Sequence, residues 1–100
     1  MTNSVPNFLQ PTVWSVKTKN LDRQKDKIYI INQILAYGSI KDLKWLFKAY
    51  PKQTIKNVFL KEPIKTYRPQ AYNFAKNILL EINKPLNQNR YVINTPRVIK

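Results

Sequence analysis

From residue 22 to residue 82 the apolar side chains recur at intervals of three and four, the spacing that places them on one side of an α-helix. Ile28, Ile31 and Leu35, joined by Ile30 and Ile34, form a broad apolar face and predict a first helix over 23–37. Asp22 stands at its N-cap, and Gly38, the only glycine, sits where a helix end asks for a residue that tolerates positive φ. Ser39 and Asp42 then make a Ser-x-x-Asp variant of the capping box and predict the start of a second helix, ended by Pro51. On it Ile40, Leu43, Leu46, Phe47 and Tyr50 fall on one side, and Lys41, Lys44, Trp45 and Lys48 on the other. Ile55, Val58 and Phe59 mark a short third helix over 52–61. Pro69 suits the first turn of a fourth helix over 69–82, whose stripe is Ala71, Phe74, Ala75, Ile78, Leu79 and Ile82 and whose outer face carries Asn73, Lys76, Asn77 and Leu80.

Outside this span the pattern changes. Residues 1–20 carry Pro6 and Pro11 and alternate loosely through Val13, Trp14, Ser15 and Val16, as an extended arm with a short strand-like or docked segment would. Residues 84–100, with two prolines and with Arg90, Arg97 and Lys100, read as an irregular basic tail. The expectation is an all-α chain: an arm over 1–20, a compact four-helix domain over 21–83 and a tail over 84–100. The pair of helices joined at Pro51 is a candidate helix-turn-helix, with helix three or four offered to a major groove.

Composition removes most catalytic chemistry. With no Cys and no His there is no thiol nucleophile, imidazole base, disulfide framework or zinc site, and one glycine leaves no phosphate-cradling loop. The carboxylates Asp22, Asp26, Asp42, Glu62 and Glu81 are scattered over several helix ends, which does not suit paired acid–base work. Tyr37 and Tyr50 at helix ends read as core rings with wet hydroxyls. The expectation is a non-enzyme with no metal and no cofactor.

Charge points to a partner. Eighteen Lys and Arg against five Asp and Glu give +13, about one net positive charge per 450 Å² of a folded surface of this size. AT-rich codon usage explains why Lys outnumbers Arg but not why Glu appears only twice. Among polyanions nucleic acid is favoured over membrane, because no stretch joins a basic face to a continuous exposed apolar one. No apolar run is long enough to span a bilayer and no secretory signal stands at the start, so a cytoplasmic location is expected.

The candidate interface is the lysine face of helix two. Lys41, Lys44 and Lys48 line up, and Lys52 and Lys56 carry the charge into helix three. Such a strip can contact phosphates and release their counterions; an ordinary solvated helix face would look the same. Trp45 stands among the lysines. It can stack on a base, anchor a protein partner, or be covered by the arm around Val13 and Trp14. Asn73, Lys76 and Asn77 on helix four are of types that read base edges, on a face that solvent alone also explains.

The segments AYGSIKDLKWLFKAYPKQTIKNV and RPQAYNFAKNILLEI resemble those of small uncharacterised bacterial helical proteins encoded beside abortive-infection nucleotidyltransferase toxins and regarded as their antitoxins. The shared features are the Tyr37-Gly38 pair, the Lys44-Trp45-Leu46 core, and Pro69 followed by Asn73 and Phe74. Two positions depart: Arg68 stands where that family has a capping Ser, a loss of about 1 kcal/mol, and Ala75 where it has Trp. The resemblance implies an antitoxin-like regulator that holds DNA and pairs with a nucleotidyltransferase toxin. Two alternatives stand beside it: a protein-binding module for an acidic partner, with Trp45 as its hot spot, and an accessory nucleic-acid-binding component of a ribonucleoprotein or phage particle. The oligomeric state is open.

Overall fold

The computed structural model describes residues 5–14 and 16–93. Among them the chain is all-α: α1 (Lys27–Tyr37), α2 (Ile40–Ala49), α3 (Lys52–Lys61) and α4 (Pro69–Phe74), the last running on into a π turn over Ala75–Leu79. No strand occurs among the described residues; one isolated parallel bridge pairs Tyr67 with Val92.

α1 is the hub. Seven consecutive residues, Ile30 to Ala36, are buried, because α2, α3 and α4 each pack on it. Burying each of its large aliphatic side chains contributes about 1.5–3 kcal/mol. A helix covered on all sides must pair its polar groups internally. The Asn32 amide donates to the carbonyls of Ile28 (2.9 Å) and Glu62 (3.0 Å), and its oxygen accepts from the Tyr67 hydroxyl (2.8 Å). Gln33 donates to the carbonyl of Thr12 at 3.0 Å. These bonds tie α1 to the N-terminal segment, to the end of α3 and to the segment before α4.

The ends of α1 depart from the sequence reading. The helix begins at Lys27 rather than 23, after a turn over 23–26. Asp22 caps that turn: its carboxylate accepts from the backbone N–H groups of Lys25 (2.9 Å) and Gln24 (2.8 Å), which hold its pKa below the ordinary value. Gly38 is not left-handed. Its φ is −70° and ψ 149°, and glycine is needed there for space, since a Cβ would lie 2.6 Å from the Ile34 carbonyl oxygen and 2.8 Å from that residue's side chain.

The segment expected as an extended arm is wound into 3-10 turns at Asn7–Leu9 and Thr18–Asn20, with Val5, Leu9, Val13 and Thr18 buried. Of the Val13-to-Val16 alternation, Ser15 lies outside the described residues. The stretch expected as a tail from residue 84 returns to the core. Tyr91 and Val92 are buried, Tyr67 donates its N–H to the Tyr91 carbonyl, and Ile93 donates to the Tyr67 carbonyl, both at 2.9 Å. The rings of Phe59, Tyr67, Tyr72 and Tyr91 pack together, the closest pair, Phe59 and Tyr91, with centroids 4.6 Å apart, and the Tyr91 hydroxyl donates to the Phe59 carbonyl at 2.7 Å. This aromatic packing sequesters the end of the described chain. Arg97 and Lys100, counted with the tail, lie outside the described residues.

α4 departs most. Its buried residues are Tyr72, then Ala75, Leu80 and Ile82, whereas Phe74 and Ile78, expected in the core, are 41% and 63% exposed. Leu80, expected on the outer face, is fully buried. Phe74 already faces outward before the π turn, since the buried side there is Tyr72 and Ala75. Within and after the turn the Leu80 N–H reaches back five residues to Ala75 and the Ile82 N–H six residues to Lys76, so each following side chain is displaced around the axis relative to a 3.6-residue repeat. Glu81, at φ 53°, ends the helix in the left-handed region.

Candidate nucleic-acid interface

α2 is held at its start by a complete capping box. The Ser39 hydroxyl accepts from the Asp42 N–H at 3.3 Å, and the Asp42 carboxylate accepts from the Ser39 N–H at 3.1 Å. Asp42 is buried, and its carboxylate also accepts from the Thr12 hydroxyl. The N-terminal segment is thereby bonded to the first turn of α2. At the other end Leu46 is fully buried, and Tyr50 is buried with its hydroxyl donating to the Arg23 carbonyl at 2.7 Å. Burial pushes the Tyr50 pKa up to about 12. The buried side of α2 is therefore Asp42, Leu46 and Tyr50, flanked by half-buried Leu43 and Phe47. Ile40, expected on this side, is 65% exposed, and the buried place in the first turn belongs to Asp42.

With both ends fixed, the other side of α2 faces outward. Lys41, Lys44 and Lys48 are exposed, and with Trp45, Phe47 and Phe8 they line one groove of about 530 Å³. Trp45 is half-buried rather than projecting: its indole meets the Tyr50 ring edge-on, centroids 6.2 Å apart, and keeps a side in the groove. From the N-terminal segment Phe8 lines the same groove as Trp45, while Trp14 packs on Tyr37. The Lys41 ammonium lies 4.5 Å above the Phe8 ring, a cation–π geometry. Phe8 and Lys41 also line a second groove, of about 390 Å³, with Pro11, Thr12, Tyr37, Ser39 and Asp42. Trp14, 62% exposed, leans against Tyr37 with centroids 5.9 Å apart.

The remaining candidates do not join this groove. Lys52 pairs with Glu81 at 3.3 Å, and Lys56 is half-buried. Asn73 and Asn77 are exposed on the fourth helix. Lys76 is turned to local work, donating to the Ile82 carbonyl at 3.2 Å and to Asn77 at 3.4 Å. The contribution of Phe8 was missing from the sequence reading; its only signal was an aromatic residue between two prolines in a basic chain.

In chemical terms the groove offers three ammonium groups, which suit phosphate oxygens, around aromatic surface, which suits a flat apolar face. Among the described residues no three acidic side chains come together as a metal site, and no helix is long and apolar enough to cross a membrane. No curated protein and no solved structure matches the chain. Residues 8–59 match the model of a family described as a family of unknown function, DUF6922, and that span holds every residue that lines the groove. Matched over just over half its length, the chain belongs to this family.

Proposed function

We propose that this protein is a non-enzymatic regulator that holds DNA against the outer face of α2 and pairs with a toxin, as an antitoxin does. One observation carries the DNA reading: Lys41, Lys44 and Lys48 stand exposed around a single groove in a chain of net charge +13. Each phosphate these lysines neutralise releases a condensed counterion, so affinity depends on salt. Three such contacts give a log–log slope of about −2.7, or roughly 40-fold weaker binding between about 50 and 200 mM salt. A titration of the full chain with a labelled DNA oligonucleotide at several salt concentrations checks this. Lys44→Ala is expected to flatten the slope by about 0.9. An affinity indifferent to salt overturns the phosphate reading. Equal affinity for a chosen operator and for random DNA points instead to an accessory nucleic-acid component.

The toxin rests on the resemblance of the two helical segments to proteins encoded beside nucleotidyltransferase toxins. The surface offered to such a partner is the exposed pair Phe74 and Ile78 on the fourth helix, outside the groove. Co-purification with a nucleotidyltransferase from the neighbouring reading frame, lost on Ile78→Asp, supports the pairing; retention of the complex by that variant removes this surface from it.

A further inference from the structure

The groove's neighbours decide which form of nucleic acid fits it. α2 carries no Asn, Gln or Arg, and its one carboxylate, Asp42, is buried and bonded to Ser39 and Thr12, so of the side chains that read base edges in a major groove only lysine is exposed on it. What surrounds those lysines is aromatic: Trp45, Phe47 and Phe8 in the first groove, Tyr37 in the second, and Trp14 on Tyr37. A duplex presents phosphates and base edges and keeps its base faces stacked inside, so exposed rings gain little from it. An unpaired strand presents those faces, and they can stack on exposed rings.

We infer that the face formed by Lys41, Lys44 and Lys48 with Phe8, Trp14 and Trp45 takes single-stranded nucleic acid, its phosphates on the lysines and its bases on the rings. The two grooves share Phe8 and Lys41, so they adjoin, and the Lys41 ammonium over Phe8 brings a phosphate contact and a stacking surface to one point. Trp14, at 62% the most exposed aromatic ring among the described residues, extends the aromatic surface past Tyr37. This inference rests on the nucleic-acid reading above and narrows its ligand from DNA in general to an unpaired strand.

The test uses the full chain in fluorescence anisotropy. The probes are oligothymidine and oligouridine of about ten nucleotides, a DNA duplex of the same length, and a polyglutamate peptide. The expected result is single-strand binding at least about tenfold tighter than duplex binding, with tryptophan fluorescence quenched. The two oligonucleotides separate a DNA from an RNA source. Trp14→Ala, at a site too exposed to disturb folding, is expected to weaken single-strand binding about tenfold and leave duplex binding unchanged; Phe8→Ala is the second variant. Duplex affinity equal to or above that of the single strands, or no effect of either variant, overturns the inference and leaves the nucleic-acid reading standing. Failure to bind any of the nucleic acids overturns both, as does polyglutamate bound as tightly as they are.

Discussion

α2 and α4 are held in place in opposite ways. α2 begins on a closed pair of hydrogen bonds between Ser39 and Asp42, with Thr12 bonded to the same carboxylate, and ends at Tyr50, whose hydroxyl is bonded to Arg23. α4 begins at Arg68, which makes no side-chain cap, loosens into a π turn after six residues and stops at a left-handed Glu81. A helix fixed at its own ends can leave a whole face free, and α2 leaves its lysines and Trp45 around a groove. A helix held by what it packs on exposes whatever its burial leaves over, and α4 leaves Phe74 and Ile78. The outward lysines of α2 are therefore better candidates for function than the outward Asn73 and Asn77.

The largest effect expected tests the register of the fourth helix. Leu80 is fully buried and Ile78 is 63% exposed. Leu80→Ala is expected to cost about 2–5 kcal/mol, the range for emptying a packed aliphatic site, and Ile78→Ala less than about 0.5 kcal/mol. Urea unfolding of the two variants reads the difference. The reverse order would restore a regular α-helix through residue 82.

That register marks the limit of what the residue pattern could reveal. Elements with local signals were legible: Pro51 and the spacing of Ile55, Val58 and Phe59 place α3 at Lys52–Lys61, and the Ser39–Asp42 pair places the start of α2. The π turn has no such signal, because it follows from burying Ala75, Leu80 and Ile82 together, a tertiary demand that overrides the 3.6-residue repeat. Gly38 shows the same limit, since a close approach to Ile34 and a left-handed cap call for the same residue. The return of Tyr91 to Phe59 and Tyr67 joins residues too far apart in sequence for periodicity to connect. At the candidate site the lysines and Trp45 were legible on one helix, and Phe8 was not, because only folding brings it across.

The next effect tests the far end of α2 with pH. Burial raises the Tyr50 pKa to about 12, above the ordinary value of 10.0. The native state therefore keeps a proton that the unfolded chain releases. The associated stability, about 2–3 kcal/mol, is complete below pH 10 and is lost as pH rises toward 12. Thermal unfolding followed across this window is expected to fall more steeply for the natural chain than for Tyr50→Phe. The variant lacks the titrating hydroxyl and is less stable at neutral pH by the lost bond to Arg23. Parallel curves would mean that the hydroxyl is solvated.

A smaller effect compares the two N-termini. Asp42→Ala removes the acceptor for Ser39 N–H and the Thr12 hydroxyl, and is expected to cost about 1–3 kcal/mol. Arg68→Ser supplies the cap that α4 lacks and is expected to gain about 1 kcal/mol. Denaturant midpoints of both variants read the contrast. An Asp42 variant with unchanged stability would mean that α2 depends on its packing as α4 does.

The smallest effect concerns the end of α4. Glu81 occupies the left-handed region at φ 53°, where a Cβ crowds the backbone and glycine does not. Against that strain stands its ion pair with Lys52, but the two side chains are 72% and 51% exposed, and such pairs contribute only about 0–1 kcal/mol. The strain is the larger quantity, so Glu81→Gly is expected to stabilise the chain by about 0.5 kcal/mol despite the lost pair. Lys52→Ala separates the two contributions, because it removes the pair and keeps the strain, and it is expected to be neutral or slightly destabilising. If Glu81→Gly destabilises by more than Lys52→Ala does, the left-handed residue is not what limits this helix end. The weakness of α4 would then lie in its π turn alone.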